Sequence, residues 1–200
     1  GDRVTTILDA RRVTEPTAEP ITLDEAKLHL RVVDGSDEDT LIDSLIAAAR
    51  QEAERLGWLS CCTQTWRLYL TGWPAGPVLL PRHPIQSITS VKWYDASDAQ
   101  QTLSASVYAL VPEAGCDAQL ALASGQAWPT AELSGRMYPV VVEYVAGWAE
   151  NAVPAAIRQY MLLLIGAMYE QRQSVVVGGG SLVEMPFVEG LLDDYRGFRY

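Results

Sequence analysis

The sequence predicts an α+β fold: a small helical bundle of two N-terminal helices plus a later long helix, an inserted β-rich segment, and a flexible C-terminal docking tail. Three observations carry this. Apolar residues recur three or four apart through residues 21–57, give way to short alternating runs through residues 58–149, and return to the helical period after Pro154. A two-helix hairpin cannot bury its own seam, so the third helix is its natural partner and the segment between them is an insertion. The predicted organisation is an N-terminal arm over 1–20, a helical bundle from 21–57 with 150–174, a β-rich insertion over 58–149, and a hinge with a docking segment over 175–200.

Residues 1–20 show little periodicity, with Arg11, Arg12, Pro16 and Pro20 among polar neighbours. An extended arm and an edge strand from Val4 to Leu8 both fit. Thr22 and Glu25 then form a T-x-x-E capping box, in which the hydroxyl accepts from a free N–H and the carboxylate reaches back. That helix runs through Leu23, Leu28 and Leu30 to a stop at Asp34-Gly35. The next opens with Ser36 as N-cap and Asp37, Glu38 and Asp39 in the first turn, where negative charge suits the helix dipole. Its stripe is Leu41, Ile42, Leu45, Ile46, Ala49, Ala53 and Leu56, with Gly57 as terminator.

From Thr63 to Leu70 the period changes to two, with Trp66, Leu68 and Leu70 on one face. Gly72, Pro74, Gly76 and Pro77 mark a turn. Further short strands are expected at 78–80, 87–94, 106–111, 119–123 and 140–145, separated by Pro81-Arg82-His83-Pro84, by 95–98, by Ala114-Gly115 and by Ser134-Gly135. Such spacing suggests a small antiparallel sheet or barrel-like insert. Pro154 sits at a first helical position, and Ile157, Met161, Leu164, Ile165 and Met168 form the next apolar face. Beyond it, Val175 to Ser181 reads V-V-V-G-G-G-S, a flexible hinge at Gly178, Gly179 and Gly180. Pro186, Phe187, Leu191, Leu192 and Tyr195 fit one short amphipathic helix. An apolar, arginine-rich segment on a glycine tether buries itself poorly and is built to dock elsewhere, so its removal from residue 187 is expected to leave a folded domain.

The 200 residues, 48% of them hydrophobic, suffice for a proper core. No apolar run approaches the roughly 18 residues of a membrane span, and no signal-peptide pattern opens the chain, so a soluble, non-exported protein is expected. Three cysteines, with Cys61 and Cys62 adjacent, argue against a disulfide scaffold and for a reducing compartment. Fifteen basic against 25 acidic residues give a formal charge of −10, which disfavours a dedicated nucleic-acid-binding face. Thirteen of the basic residues are arginine, the type suited to bidentate pairing at protein interfaces.

No active site is legible. Gly178–Gly180 lacks the spacing and lysine of a phosphate loop. His29, beside Leu28 and Leu30, and His83, in its proline turn, read as structural. Two histidines supply a zinc site poorly. Asp37, Glu38, Asp39 and Asp43 lack the glycine and terminal glutamate of a calcium loop and fit a solvated helix start. All six tryptophans lie between Trp58 and Trp148; without interleaved basic residues they suit a core better than a stacking platform for single strands, though a nucleic-acid-binding module remains the alternative function.

One ordered set of pieces resembles the head–tail connector (adaptor) family of long-tailed phages and gene transfer agents. It begins at Ile21-Thr22-Leu23-Asp24-Glu25-Ala26-Lys27-Leu28-His29-Leu30 and continues through residues 37–42, Thr63-Gln64-Thr65-Trp66 and Leu80-Pro81-Arg82-His83-Pro84-Ile85. Residues 91–95, Val142-Glu143-Tyr144 with Gly147, and Val153-Pro154 with Ile157-Arg158 follow. Tyr169-Glu170-Gln171-Arg172 and Leu191-Leu192 with Tyr195-Arg196 close the set. Two departures stand out: Asp95-Ala96-Ser97-Asp98 lacks the glycine expected in that hairpin, and the chain runs on past Arg196 by four residues.

The resemblance implies a non-enzymatic protein without cofactor or metal. It would form a ring, a dodecamer, beneath the portal at the capsid vertex of a virion or phage-like particle assembled in the bacterial cytoplasm. Its partners would be itself, the portal protein and a tail-side connector or stopper, with DNA only in passage and no membrane. The portal-docking residues would be Phe187, Leu191, Leu192, Tyr195, Arg196, Phe198, Arg199 and Tyr200. The acidic surplus suits a channel wall along which DNA slides, since like charge disfavours phosphate binding.

Overall fold

The computed structural model describes residues 10–32, 36–112, 118–149, 152–170 and 190–195. The chain divides into two compact units, each built from separate stretches of sequence: a sheet unit, Gly1–Pro16 with Thr63–Gly147, and a helical unit, Thr17–Cys62 with Trp148–Tyr200.

In the sheet unit, β1 (Arg11–Thr14), β2 (Gln64–Leu70), β4 (Ile85–Tyr94), β5 (Gln100–Thr102) and β8 (Val140–Ala146) form an antiparallel sheet in the order β1-β2-β8-β4-β5. The short β3 (Val78–Leu79) joins β6 (Tyr108–Pro112) and β7 (Ala118–Leu122) in a second, ordered β3-β7-β6. Strict alternation fixes the register, because a slip of one residue would turn every apolar side chain to solvent. Trp66 pairs with Tyr144, Leu68 with Val142 and Leu70 with Val140, and Val91 and Trp93 of β4 lie across from Val142 and Val140. These side chains, with Val78, Leu80 and Leu120, make one core.

Two of its polar tips turn to backbone carbonyls. The buried Tyr144 hydroxyl donates to the Pro81 carbonyl at 2.9 Å, and Trp128 Nε1 donates to Pro74 O at 2.9 Å. Trp73 stacks on Trp128 with ring centroids 5.1 Å apart. Buried Trp66 and Trp93 join the partly buried Trp73 and Trp128 as four tryptophans packed in or against this core.

Two strands depart from expectation. The ordered edge strand is β1 at Arg11–Thr14, while residues 4–8 lie outside the described residues. β5 was not expected; its three residues are all exposed and carry no apolar signal. The hairpin from β4 to β5 explains its missing glycine. Asp98 takes the left-handed conformation at φ 65°, and Asp95 Oδ1 accepts from the Ser97 and Ala99 backbone N–H groups at 3.0 and 3.1 Å. Aspartate is among the few residues that tolerate the left-handed region and close such turns with their own carboxylate.

The helical unit holds α1 (Leu23–Leu30), α2 (Asp39–Gly57), α3 (Ala155–Glu170) and a one-turn 3₁₀ helix at Asp193–Tyr195. The predicted stripes meet: Ala26, Ile42, Ile46, Ala49, Ala53, Ile157, Met161 and Ile165 are buried together, and Leu45, Leu56, Leu164 and Met168 pack partly against them. Leu41 lies off the seam and is 38% exposed.

The helix ends differ from the sequence reading. Thr22 Oγ1 accepts from the Glu25 N–H at 3.2 Å, as a cap should. The Glu25 carboxylate instead takes Arg158 Nη2 at 2.6 Å, tying α1 to α3. α1 stops at Arg31, not at Asp34-Gly35, whose positions lie outside the described residues. Arg31 is left-handed at φ 58°, and Val32 N–H returns to Lys27 O and Arg31 N–H to Leu28 O, a Schellman closure without glycine. Ser36 is not the N-cap of α2. That place is Glu38's, whose carboxylate accepts from the Tyr169 hydroxyl of α3, while Asp39 pairs with Lys27 of α1.

Gly57 is the last helical residue and Trp58 takes the left-handed turn. The glycine is needed for space: a Cβ there would lie 2.6 Å from Leu59 Cδ2, a fully buried side chain. Pro154 stands one residue before α3, its carbonyl accepting from Arg158 N–H at 3.1 Å.

Candidate functional site

The residues predicted to dock divide by where the structure describes them. Leu192 is fully buried in the helical core, and Leu191 and Tyr195 pack partly against it. The 3₁₀ turn closes with Tyr195 N–H donating to Leu192 O at 2.9 Å, and the Tyr195 ring meets Trp148 edge-on at 6.3 Å between centroids. These residues therefore bury against their own unit, contrary to the expectation that the segment finds no burial at home. An apolar pair four residues ahead of a tyrosine is enough to fill one seat between helices that already expose apolar edges. Phe187, Arg196, Phe198, Arg199 and Tyr200, and the hinge at Gly178, Gly179 and Gly180, lie outside the described residues.

A second feature escaped the sequence reading. Arg50 and Glu54 sit four apart on the buried side of α2, at 4% and 5% exposure. Arg50 Nε donates to Glu19 Oε2 at 2.8 Å and Nη1 to Glu54 Oε2 at 3.1 Å, while Glu54 Oε1 accepts from the Cys61 backbone N–H at 3.0 Å. Helical spacing of arginine before glutamate was the available signal, but at a glance it reads as a surface pair. The network fastens the chain at Glu19 and at Cys61 to α2. Burial pushes the Cys61 thiol well above its ordinary value, with the Glu54 carboxylate adding to the shift. That thiol is a poor nucleophile at neutral pH. Cys61 is buried and Cys62 half-buried, and Cys116 lies outside the described residues.

The outer face of the five-stranded sheet is polar, cationic and aromatic. Arg11, Arg67, Glu143 and Ser90 stand in one row across β1, β2, β8 and β4, and Tyr69, Val141, Lys92 and Thr102 in the next. Arg67 Nε donates to Glu143 Oε2 at 2.7 Å, a bond that raises the arginine's pKa. The Arg11 guanidinium lies 5.8 Å from the Tyr69 ring centre, and Arg136 lies 3.9 Å from that of Tyr94. Arg136 also holds Asp98, keeping that carboxyl below its usual range. A shallow hollow of about 280 Å³ opens among Arg67, Tyr69, Lys92, Tyr94 and Glu143.

Among the described residues no group of three or more His, Cys, Asp and Glu side chains is placed to hold a metal, and no helix is long and apolar enough to cross a membrane. His29 rests near Gly166 of α3, where an added Cβ would come to 3.4 Å of Nε2; His83 is buried in the sheet unit. What the described residues present is a set of surfaces and anchoring points.

Comparison with known proteins agrees with that description. Residues 20–111 match the model of the phage gp6-like head–tail connector family. No curated protein sequence matches the chain. Among solved structures, the chain is similar to one from the neck of an empty gene transfer agent particle computed with C6 symmetry, at 25% identity and a TM-score of 0.76. It also shares the fold of a chain in the virion of the native particle, at 24% identity and TM-score 0.75, and of one in the native neck computed with C12 symmetry, at 24% and 0.70. Each match covers 96% of this chain and 97% of the other. The fold is thus that of a particle-neck component over nearly its whole length, and residues 20–111, a little under half of the chain, resemble the phage gp6-like head–tail connector family.

Proposed function

We propose that this chain is a structural head–tail connector: one subunit of a ring beneath the portal that joins capsid to tail and leaves a channel for DNA. The observation that carries the reading is the family match over residues 20–111, with the neck fold supporting it over the rest. The family is a structural one, and the protein works by contact, without catalysis. The twelvefold symmetry used for a neck of the same fold supports a ring of twelve copies. The partners are the portal protein on the head side and a connector or stopper on the tail side.

On this reading the C-terminal segment attaches the ring to the portal. Leu191, Leu192 and Tyr195 anchor its root on the helical unit, and Phe187, Arg196, Phe198, Arg199 and Tyr200 with the Gly178–Gly180 hinge provide the reach. The acidic surplus bears on the channel too. The helical unit holds sixteen acidic against eight basic residues and the sheet unit nine against seven, so the helical unit is the better-suited wall for passing DNA.

The test is particle assembly without this gene, viewed by negative-stain electron microscopy. Heads accumulating beside free tails are expected, and normally joined particles would remove the connector role.

A further inference from the structure

We propose that the outer face of the five-stranded sheet is a contact surface between copies, and that its occupant is the acidic helical unit of a second copy of this chain. The inference rests on the ring reading above. A ring generated by rotation needs a heterologous interface, in which two different patches on each subunit meet. Two such patches are present. The net charge of −10 divides into about −8 on the helical unit and about −2 on the sheet unit. Within the sheet unit, four cations gather on one face.

On that face two cations are compensated and two are not. Arg67 is held by Glu143 and Arg136 by Asp98. Among the described residues Arg11 has no ion pair and lies over the Tyr69 ring, and Lys92 has no ion pair. Arg11 also stands directly across from Arg67, a like-charge pairing that Glu143 offsets on the Arg67 side and that a further anion at Arg11 would offset on the other. The hollow beside Lys92 is open to such a group. On the helical unit, Asp24, Asp37 and Asp43 are exposed.

DNA fits this face less well. Glu143 lines the hollow, where it repels phosphate, and the Tyr69 and Tyr94 rings already have guanidinium groups over them rather than being open for bases. Separately placed carboxylates on a protein surface meet the two uncompensated cations without confronting Glu143.

The experiment places a benzophenone amino acid at position 92 of the full chain, assembled into particles. After ultraviolet irradiation, a denaturing gel separates cross-linked pairs of chains from single ones, and peptide mass spectrometry locates the attachment. Electron microscopy of the same particles reports whether the ring is present. A two-chain product joined from position 92 to residues 17–62 or 148–170 is expected. With the ring present, a product mapping to another sheet unit, to a different protein or to DNA, or no two-chain product, would overturn this inference and leave the ring reading standing. Absence of the ring from particles of the unaltered chain would remove both. As a second measurement, Arg11→Glu with Lys92→Glu should cut joined particles about tenfold, the electrostatic cost of facing like charges, with the melting temperature of the isolated protein nearly unchanged. Wild-type numbers of joined particles would also overturn it.

Discussion

The two units solve the same burial problem in different ways. The sheet unit fills its core with apolar and aromatic side chains, and the polar tips of Tyr144 and Trp128 turn to backbone carbonyls. The helical unit encloses an ion pair, Arg50 with Glu54, and draws one core leucine from the far end of the sequence. Distant strands of the sheet unit are located by continuous backbone pairing, as β2 and β4 are along β8. Helices that arrive from residues 17–62 and 148–200 need specific links to find one arrangement. Glu25–Arg158, Lys27–Asp39 and Glu38–Tyr169 tie each helix to the other two. The helical unit is therefore the one whose integrity depends on particular polar partners, and the one that holds the root of the proposed docking segment.

The most severe test of that contrast is Arg50→Ala. It strands the Glu19 and Glu54 carboxylates, the latter buried, and should cost about 3–5 kcal/mol, the usual loss when one partner of a buried pair is removed. Thermal or urea unfolding measures it. Replacing Arg50 and Glu54 together by Met and Leu should recover much of the loss, and a double variant as unstable as the single one would show that the pair's geometry, not the stranded charge, matters.

Leu192→Ala comes next, at about 2–5 kcal/mol for a fully buried leucine. Deleting residues 187–200 should carry the same penalty, whereas deleting 196–200 should leave stability near wild type. This revises the expectation that the chain folds indifferently to loss of everything beyond residue 186. A Leu192→Ala protein as stable as the parent would mean that the segment does not belong to this core in solution.

How much of this was legible follows from which signals are local. The apolar stripes of α2 and α3 and the alternation in β2 are printed in the sequence, because burial on one side of a regular element imposes its period on the chain. The exposed β5 has no such stamp. Arg31 and Trp58 closing helices in left-handed conformations were invisible for another reason: tertiary packing holds non-glycine residues there against their preference, so the search for glycine pointed to Asp34-Gly35 and misread Gly57. The Arg50–Glu54 pair was hidden because sequence gives spacing but not depth. The sheet's cationic face was missed because Arg11, Arg67, Lys92 and Arg136 come together only once the strand order is known.

Smaller effects sharpen the contrast through glycine. Gly57→Ala drives a methyl into buried Leu59, so overpacking of about 1–3 kcal/mol should outweigh the gain of about 1 kcal/mol in helix propensity and leave a measurable loss in unfolding experiments. Gly76→Ala in the sheet unit meets nothing within 4 Å and should lie within about 0.5 kcal/mol of wild type. Equal effects at the two sites would undo the assignment of Gly57 to close approach.

The smallest effect belongs to the hairpin of the sheet unit and shows itself only in acid. Asp95 is held down to about 2, from an ordinary 3.8, first by the Ser97 hydroxyl at 2.6 Å, then by Gln101 and the Ala99 N–H. A carboxyl whose pKa is lower in the folded chain than in the unfolded one stabilises the fold fully above the unfolded value, and that contribution disappears as pH falls through the folded value. The window therefore runs from about pH 4 down to about pH 2, and the group is exposed, so the effect is modest. Asp95→Asn keeps an acceptor oxygen but cannot ionise. The melting temperatures of parent and variant should differ slightly at pH 6 and converge between pH 4 and pH 2. A gap that stayed constant to pH 2 would mean that the turn is held by the shape of the side chain alone, and that its charge adds nothing to the sheet unit.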